Sequence, residues 1–124
     1  MSEDEKAKKG KTQAGIRVIA AQARSIADSR RGKAEGRVVI AVFGEDRPGI
    51  MAGVTAVLSR QSANILDVNQ TIMSDLFTMV MLVDIKGIHE SFAALKADLE
   101  EHGSREGLSI IVQHEEIFKA MHRI

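Results

Sequence analysis

The sequence has no cysteine, no tryptophan and no tyrosine, and Pro48 is its only proline in 124 residues. The missing cysteines exclude disulfides, thiolate nucleophiles and thiolate metal sites together. Four phenylalanines are the whole aromatic content. A sheet that reads RNA needs strand aromatics for base stacking, and Phe43 and Phe77 are the only candidates. No run approaches the ~20 consecutive apolar residues of a membrane span. Met1 to Glu5 lacks the basic-then-apolar order of a secretory signal, and Glu3, Asp4 and Glu5 suit a transit peptide poorly, so the cytoplasm is the expected compartment.

What is present is ordinary globular usage, 44% hydrophobic and 27% charged. The length fits one compact domain with an appendage, not two domains with separate cores. A formal net charge of zero hides an asymmetry. Residues 1–36 carry nine Lys/Arg against five Asp/Glu, and residues 37–124 carry eight against twelve. The basic part is thus an N-terminal extension. An acidic body with few aromatics makes nucleic acid an unexpected partner, and a membrane partner is not expected either.

Up to about Gln13 the composition is Lys/Glu/Gly without apolar period, which reads as a frayed terminus. Ile16, Ile19, Ala20, Ala23, Ile26 and Ala27 then share one helical face, predicting an amphipathic helix over 13–30. Gly32 to Gly36 reads as a linker. RVVIAVF, from Arg37 to Phe43, is a short β-branched run and predicts a buried strand. Ile50, Val54, Val57, Leu58 and Gln61 repeat at helical spacing and predict a helix over 48–62. NILDVNQTIMS (64–74) and FTMVMLVDI (77–85) read as strands joined by a hairpin through Ser74, Asp75 and Leu76. Ile88, Phe92, Leu95, Leu99 and His102 mark a second helix, with Gly103 placed to stop it. LSIIVQ (108–113) is the last strand, and Ile117, Phe118 and Met121 suggest a short terminal helix.

This order predicts an α+β, ferredoxin-like βαββαβ domain over 37–124: a four-stranded antiparallel sheet with two helices on one face, plus the N-terminal helical extension. Such a sheet should alternate apolar and polar residues along each strand. Here both faces are apolar: Val38, Ile40 and Val42 oppose Val39, Ala41 and Phe43, and Phe77, Met79, Met81 and Val83 oppose Val80 and Leu82. Something must cover the second face, either a partner's sheet or the N-terminal helix. A homo-oligomer is therefore expected.

The break GEDRPGIMAG, from Gly44 to Gly53, has two readings. In the first, Asp46 caps the coming helix and Pro48 opens its first turn. In the second, Gly49 and Gly53, four apart, let a ligand approach the first turn, whose free N–H groups favour a carboxylate or phosphate. Other chemistry finds little support. His89, His102, His114 and His122 show no metal-ligand spacing, although His114 with Glu115 and Glu116 could hold a labile cation. No nucleophile elbow or Walker-type phosphate loop is present. No catalytic residue, metal or cofactor is assigned. A remote alternative borrows the fold of acylphosphatases, with Arg47 cradling phosphate and Asn64 or Asn69 positioning water.

GEDRPGIMAGVTAVLSRQSANILDVNQTIM followed by FTMVMLVDI resembles the ACT domain family, most closely its stand-alone single-domain members and the ACT halves of glycine cleavage system transcriptional repressors. The resemblance spans about residues 37–113. It implies the same ferredoxin-like fold, a regulatory and non-enzymatic role, pairing of domains, and an amino acid bound at the pairing interface. It further implies ligand contacts from Asp46, Arg47, Pro48, Gly49 and Ile50, and from Asn64 and Ile65 of the same or a paired chain. Asn64 offers both donor and acceptor to an amino acid. The competing reading is an assembly protein whose fold mediates oligomerisation without ligand, with the basic helix contacting a regulated protein partner.

Overall fold

The computed structural model describes Arg17, Ala21, Gln22 and Arg24 together with residues 36–122. Most of the expected linker and most of the helix expected over 13–30 lie outside these residues, and the four described positions in that helix are helical. From Arg37 the elements are β1 (Arg37–Glu45), α1 (Ile50–Arg60), β2 (Asn64–Met73), β3 (Leu76–Asp84), α2 (Phe92–Glu106), β4 (Ser109–His114) and α3 (Glu115–His122). The sheet is antiparallel with strand order β2-β3-β1-β4, the ferredoxin-like arrangement with a helix added at the end.

The β-branched run of β1 lies between β3 and β4, so its backbone is paired on both sides. Val38, Ile40 and Val42 project onto one face, where they pack with Val54, Val57 and Leu58 of α1 and Leu95 and Leu99 of α2. The helical stripe foreseen for α1 is the buried one: Ile50, Val54, Val57 and Leu58 are in the core, and the Gln61 side chain is buried at the helix end. There its Nε2 donates to Asp98 Oδ2 at 2.8 Å, which satisfies a polar group taken out of water.

Helix α2 starts at Ser91, whose hydroxyl accepts from the Ala94 N–H at 3.1 Å. It runs through Gly103 and ends at Gly107, which takes the left-handed conformation (φ 69°). Gly103 therefore does not stop the helix. A Cβ there would stand 2.9 Å from the Leu108 carbonyl oxygen and 3.0 Å from the Ile110 side chain, so this glycine lets α2 lie close on β4. The β2–β3 connection is Ser74–Asp75, one residue tighter than expected, with Ser74 at φ 55°.

Part of the second face of the sheet is covered by described residues of the same chain. Phe118 of α3 is 1% exposed and packs with Val39, Ala41, Val80 and Leu82. Helix α3 is anchored by Glu115, which is 2% exposed and accepts from Arg37 Nε at 2.6 Å; Lys119 Nζ stands 3.2 Å from its other oxygen. Farther along the same face, Gln22 of the N-terminal helical segment is buried against Asn69, Thr71 and Thr78. The sequence reading offered a partner sheet or the N-terminal helix as cover. Among the described residues Phe118 of α3 and Gln22 each take part of this face, while Ile111 of β4, opposite Ala41, stays 38% exposed.

Candidate functional site

The GEDRPG turn joins the end of β1 to α1 and is held from both sides. The Asp46 N–H donates to the Asp75 carbonyl at 2.7 Å, tying the turn to the β2–β3 hairpin. The Arg47 guanidinium donates to the Glu106 backbone carbonyl and, at 3.0 Å, to its carboxylate, tying the turn to the last residue of α2. A cation there also meets the negative end of the helix dipole.

The cap of α1 is Gly49 in the left-handed conformation (φ 89°), with no side-chain hydrogen bond to the helix start. Asp46 is thus not the cap, and Pro48 precedes the helix instead of occupying its first turn. The physical reason is local. A left-handed Gly49 turns the chain sharply into the helix and takes the capping position itself, leaving Asp46 three residues short of it. Gly49 has open space where a Cβ would be, whereas a Cβ on Gly53 would meet the His102 imidazole at 2.8 Å. Gly53 therefore serves the contact of α1 with α2. Only Gly49 keeps the helix start accessible.

Asp46, Arg47, Pro48 and Gly49 are exposed, while the Ile50 side chain is in the core. Asn64 is exposed at the first position of β2, and the next residue, Ile65, packs partly against the helix-side core. Asn64 pairs with Asp84, which also pairs with Arg37, whereas Met73 and Glu45 both pair with Leu76. Asn64 and Ile65 therefore lie at the end of the sheet where β1 begins, and the GEDRPG turn at the end where β1 stops. Eight strand steps at ~3.3 Å separate these ends by roughly 26 Å. One chain does not bring the two groups together.

The same geometry disassembles the phosphate-cradle alternative. Arg47 is engaged with Glu106, Asn64 is at the far end, and Asn69 accepts from Gln22. Phe77 is 3% exposed and Phe43 is partly buried, so neither is presented for stacking. Glu115 is committed to Arg37 and Lys119 and does not join His114 in a cation site, while the His114 ring lies 4.2 Å from that of Phe92. Among the described residues no three metal-binding side chains converge.

Two contacts were not legible in the sequence. Ser62 Oγ and His89 Nε2 are 2.6 Å apart between the α1–β2 turn and the loop before α2, with Ser62 at φ 59°. Both are exposed, and among the described residues no carboxylate hydrogen-bonds the His89 ring, so the pair locks a turn. Gln22 is the other. It stands outside the apolar face read for its helix, and only its burial reveals it.

A family profile described as ACT domain matches residues 36–113. A UPF0237 protein of Methanocaldococcus jannaschii is 57% identical over 88 residues, covering 71% of this chain and 98% of its own length. An ACT domain protein from Streptococcus pneumoniae is similar in structure, with a TM-score of 0.59 and 31% identity over 67% of this chain and 93% of that one. A protein assigned as a glycine cleavage system transcriptional repressor follows, with a TM-score of 0.56 and 26% identity over 62% of this chain and 44% of its own. Among the described residues no helix is long and apolar enough to cross a membrane. With fold, profile and relatives in agreement, this chain belongs to the ACT domain family.

Proposed function

We propose that the chain is a non-enzymatic regulatory module that binds a small metabolite, an amino acid by family resemblance, between two copies paired along β2. The observation that carries this is the split site beside an outer strand of the sheet. β2 is an outer strand of the sheet, and Val68, Ile72 and Met73 on it are 38, 50 and 40% exposed. Among the described residues no further strand pairs with β2, and apolar residues on such an outer strand invite pairing with a second strand. An isologous, antiparallel β2-to-β2 pairing would set the Asn64 end of one copy beside the Met73 end of the other. Asn64 and Ile65 of one copy then share an end of the joined sheet with the other copy's GEDRPG turn. The start of α1, with no side-chain cap, offers backbone N–H groups to a carboxylate, and Asn64 offers a donor and an acceptor to the remaining polar groups.

The test is a thermal-shift screen of the full chain against the twenty amino acids, one at a time. At ~100 times its dissociation constant a ligand adds about 2.7 kcal/mol to folded-state stability, a readable shift. A response from one or a few chemically related amino acids supports the reading. No response at millimolar concentration, from folded protein that is dimeric, favours the assembly reading in which the β2 edge pairs without ligand.

A further inference from the structure

The two flanks of α1 differ in kind. Gly53 faces α2, where the His102 imidazole lies against it, and α2 in turn rests on β4 through Gly103 and Ile110. Met51 precedes Gly53 by two residues and so stands about 160° away around the helix, on the flank turned from α2. Since β4 and β2 are the opposite outer strands of the sheet, that flank overlooks β2. Met51 is 38% exposed there. One turn on, the Thr55 hydroxyl is used within the helix, donating to the Met51 carbonyl at 2.9 Å.

On β2 the ladder decides which residues meet this flank. Ile72 pairs with Phe77 and Val68 with Met81, and both partners belong to the helix-side core, so Ile72 and Val68 point to the helix side. They are 50% and 38% exposed. Gln70, which pairs with Met79 between them, is polar but uncharged. Asp67 pairs with Leu82 and falls on the other face. Met51, Val68 and Ile72 thus border an apolar gutter between α1 and the outer strand. Its mouth is set by register: Phe77 also pairs with Gly44, so Ile72 lies at the end of the sheet where the GEDRPG turn leaves β1 and α1 starts. The cation at that end is drawn away from the gutter, because Arg47 is held by Glu106, the last residue of α2.

We propose that this gutter takes the side chain of the bound amino acid, and that the ligand class is therefore valine, leucine, isoleucine and methionine. The proposal rests on the reading above, in which a carboxylate meets the start of α1. A charged ligand side chain would lose water along Met51 and Ile72 without gaining a counter-charge, whereas an aliphatic or thioether chain removes apolar surface from water on both partners. Three partly exposed side chains fall far short of the ~800 Å² that each partner gives to a stable protein interface, so the gutter is sized for a small molecule. Pairing of two β2 strands extends the sheet sideways and leaves the helix-side gutter open to ligand.

Isothermal titration of the full chain with each of the twenty amino acids tests this. One or more of the four named should bind at least about tenfold tighter than any of the other sixteen. Met51→Ala should weaken that binding by about tenfold or more, with the unliganded melting temperature and the solution mass unchanged. Ile117→Ala removes a comparably exposed apolar side chain from α3 and should leave binding as it was. If Met51→Ala disturbs the fold, Met51→Gln, which keeps length and helix propensity, carries the same expectation. Preference for any of the sixteen, or aliphatic affinity that ignores both Met51 variants, overturns the gutter and leaves the metabolite-binding reading standing. No binding by any of the twenty, from folded dimeric protein, overturns that reading and the gutter with it.

Discussion

At Gly49 the backbone, not the surroundings, restricts the residue. With φ at 89° and open space at the missing Cβ, Gly49→Val crowds nothing. A β-branched residue in that region is nonetheless strained, at about 1–3 kcal/mol. Urea denaturation should show that loss, with Gly49→Asn losing less because asparagine tolerates the left-handed region. Arg47 makes the opposite prediction. Its pair with Glu106 is about half exposed, so Arg47→Ala should lower stability by less than about 1 kcal/mol. If Arg47→Ala abolishes a ligand-induced thermal shift while the unliganded melt is unchanged, Arg47 contacts the ligand directly. A shift that persists confines Arg47 to holding the turn against α2.

Among the elements, α2 and α3 are held by different physics. Gly103 brings α2 close to β4, so Gly103→Ala must displace either the Leu108 backbone or the Ile110 side chain, and overpacking of this sort costs about 1–3 kcal/mol. Were Gly103 a terminator, alanine would be harmless or mildly stabilising, so the sign of the change decides. Helix α3 rests on Phe118 and on the buried Arg37–Glu115 pair. Arg37→Ala leaves Glu115 buried with Lys119 as its remaining cation and should lose about 3–5 kcal/mol by chemical denaturation. Arg37→Met with Glu115→Leu should recover most of it, since an apolar pair removes both desolvation penalties. The elements themselves were readable because period and length agreed for each one. Their terminations were less so. Asp46 and Gly103 carry the right chemistry for a cap and a stop, but it is Gly49 and Gly107, a few residues farther on, that adopt the left-handed conformation, which composition does not reveal.

For the whole molecule, the question is which surfaces stay open to a second copy. The strand pattern announced that both sheet faces are apolar, but an amphipathic stripe does not say where it docks, so the division of the second face between α3 and Gln22 required coordinates. The site residues were legible as residue types, and their separation followed only from the register that sets Asn64 and Arg37 against Asp84. Val68→Lys and Ile72→Lys place charges on the exposed β2 edge and should shift a dimer to monomer in sedimentation at micromolar concentration, with little change in monomer folding. In a ligand screen these variants should also lose the thermal shift, because the proposed site is completed only by two copies. A monomeric variant with a full ligand response would place the whole site within one chain and contradict the split geometry.

The charge pair that seats α3 joins residues 78 positions apart, one at the opening of the first strand and one just after the last. During synthesis Arg37 leaves the ribosome long before its partner exists. Closing a loop of that length costs about 4 kcal/mol of chain entropy, and β1 waits for β4 over nearly the same span. The central strand therefore acquires its second neighbour and its buried counter-charge together, once β4 and Glu115 have been made. Early β1–β3 pairing, which needs only the first part of the domain, leaves one side of β1 open until then. Folding of this domain is consequently closed from its C-terminal end, and a chain stalled before Glu115 would present the aggregation-prone intermediate.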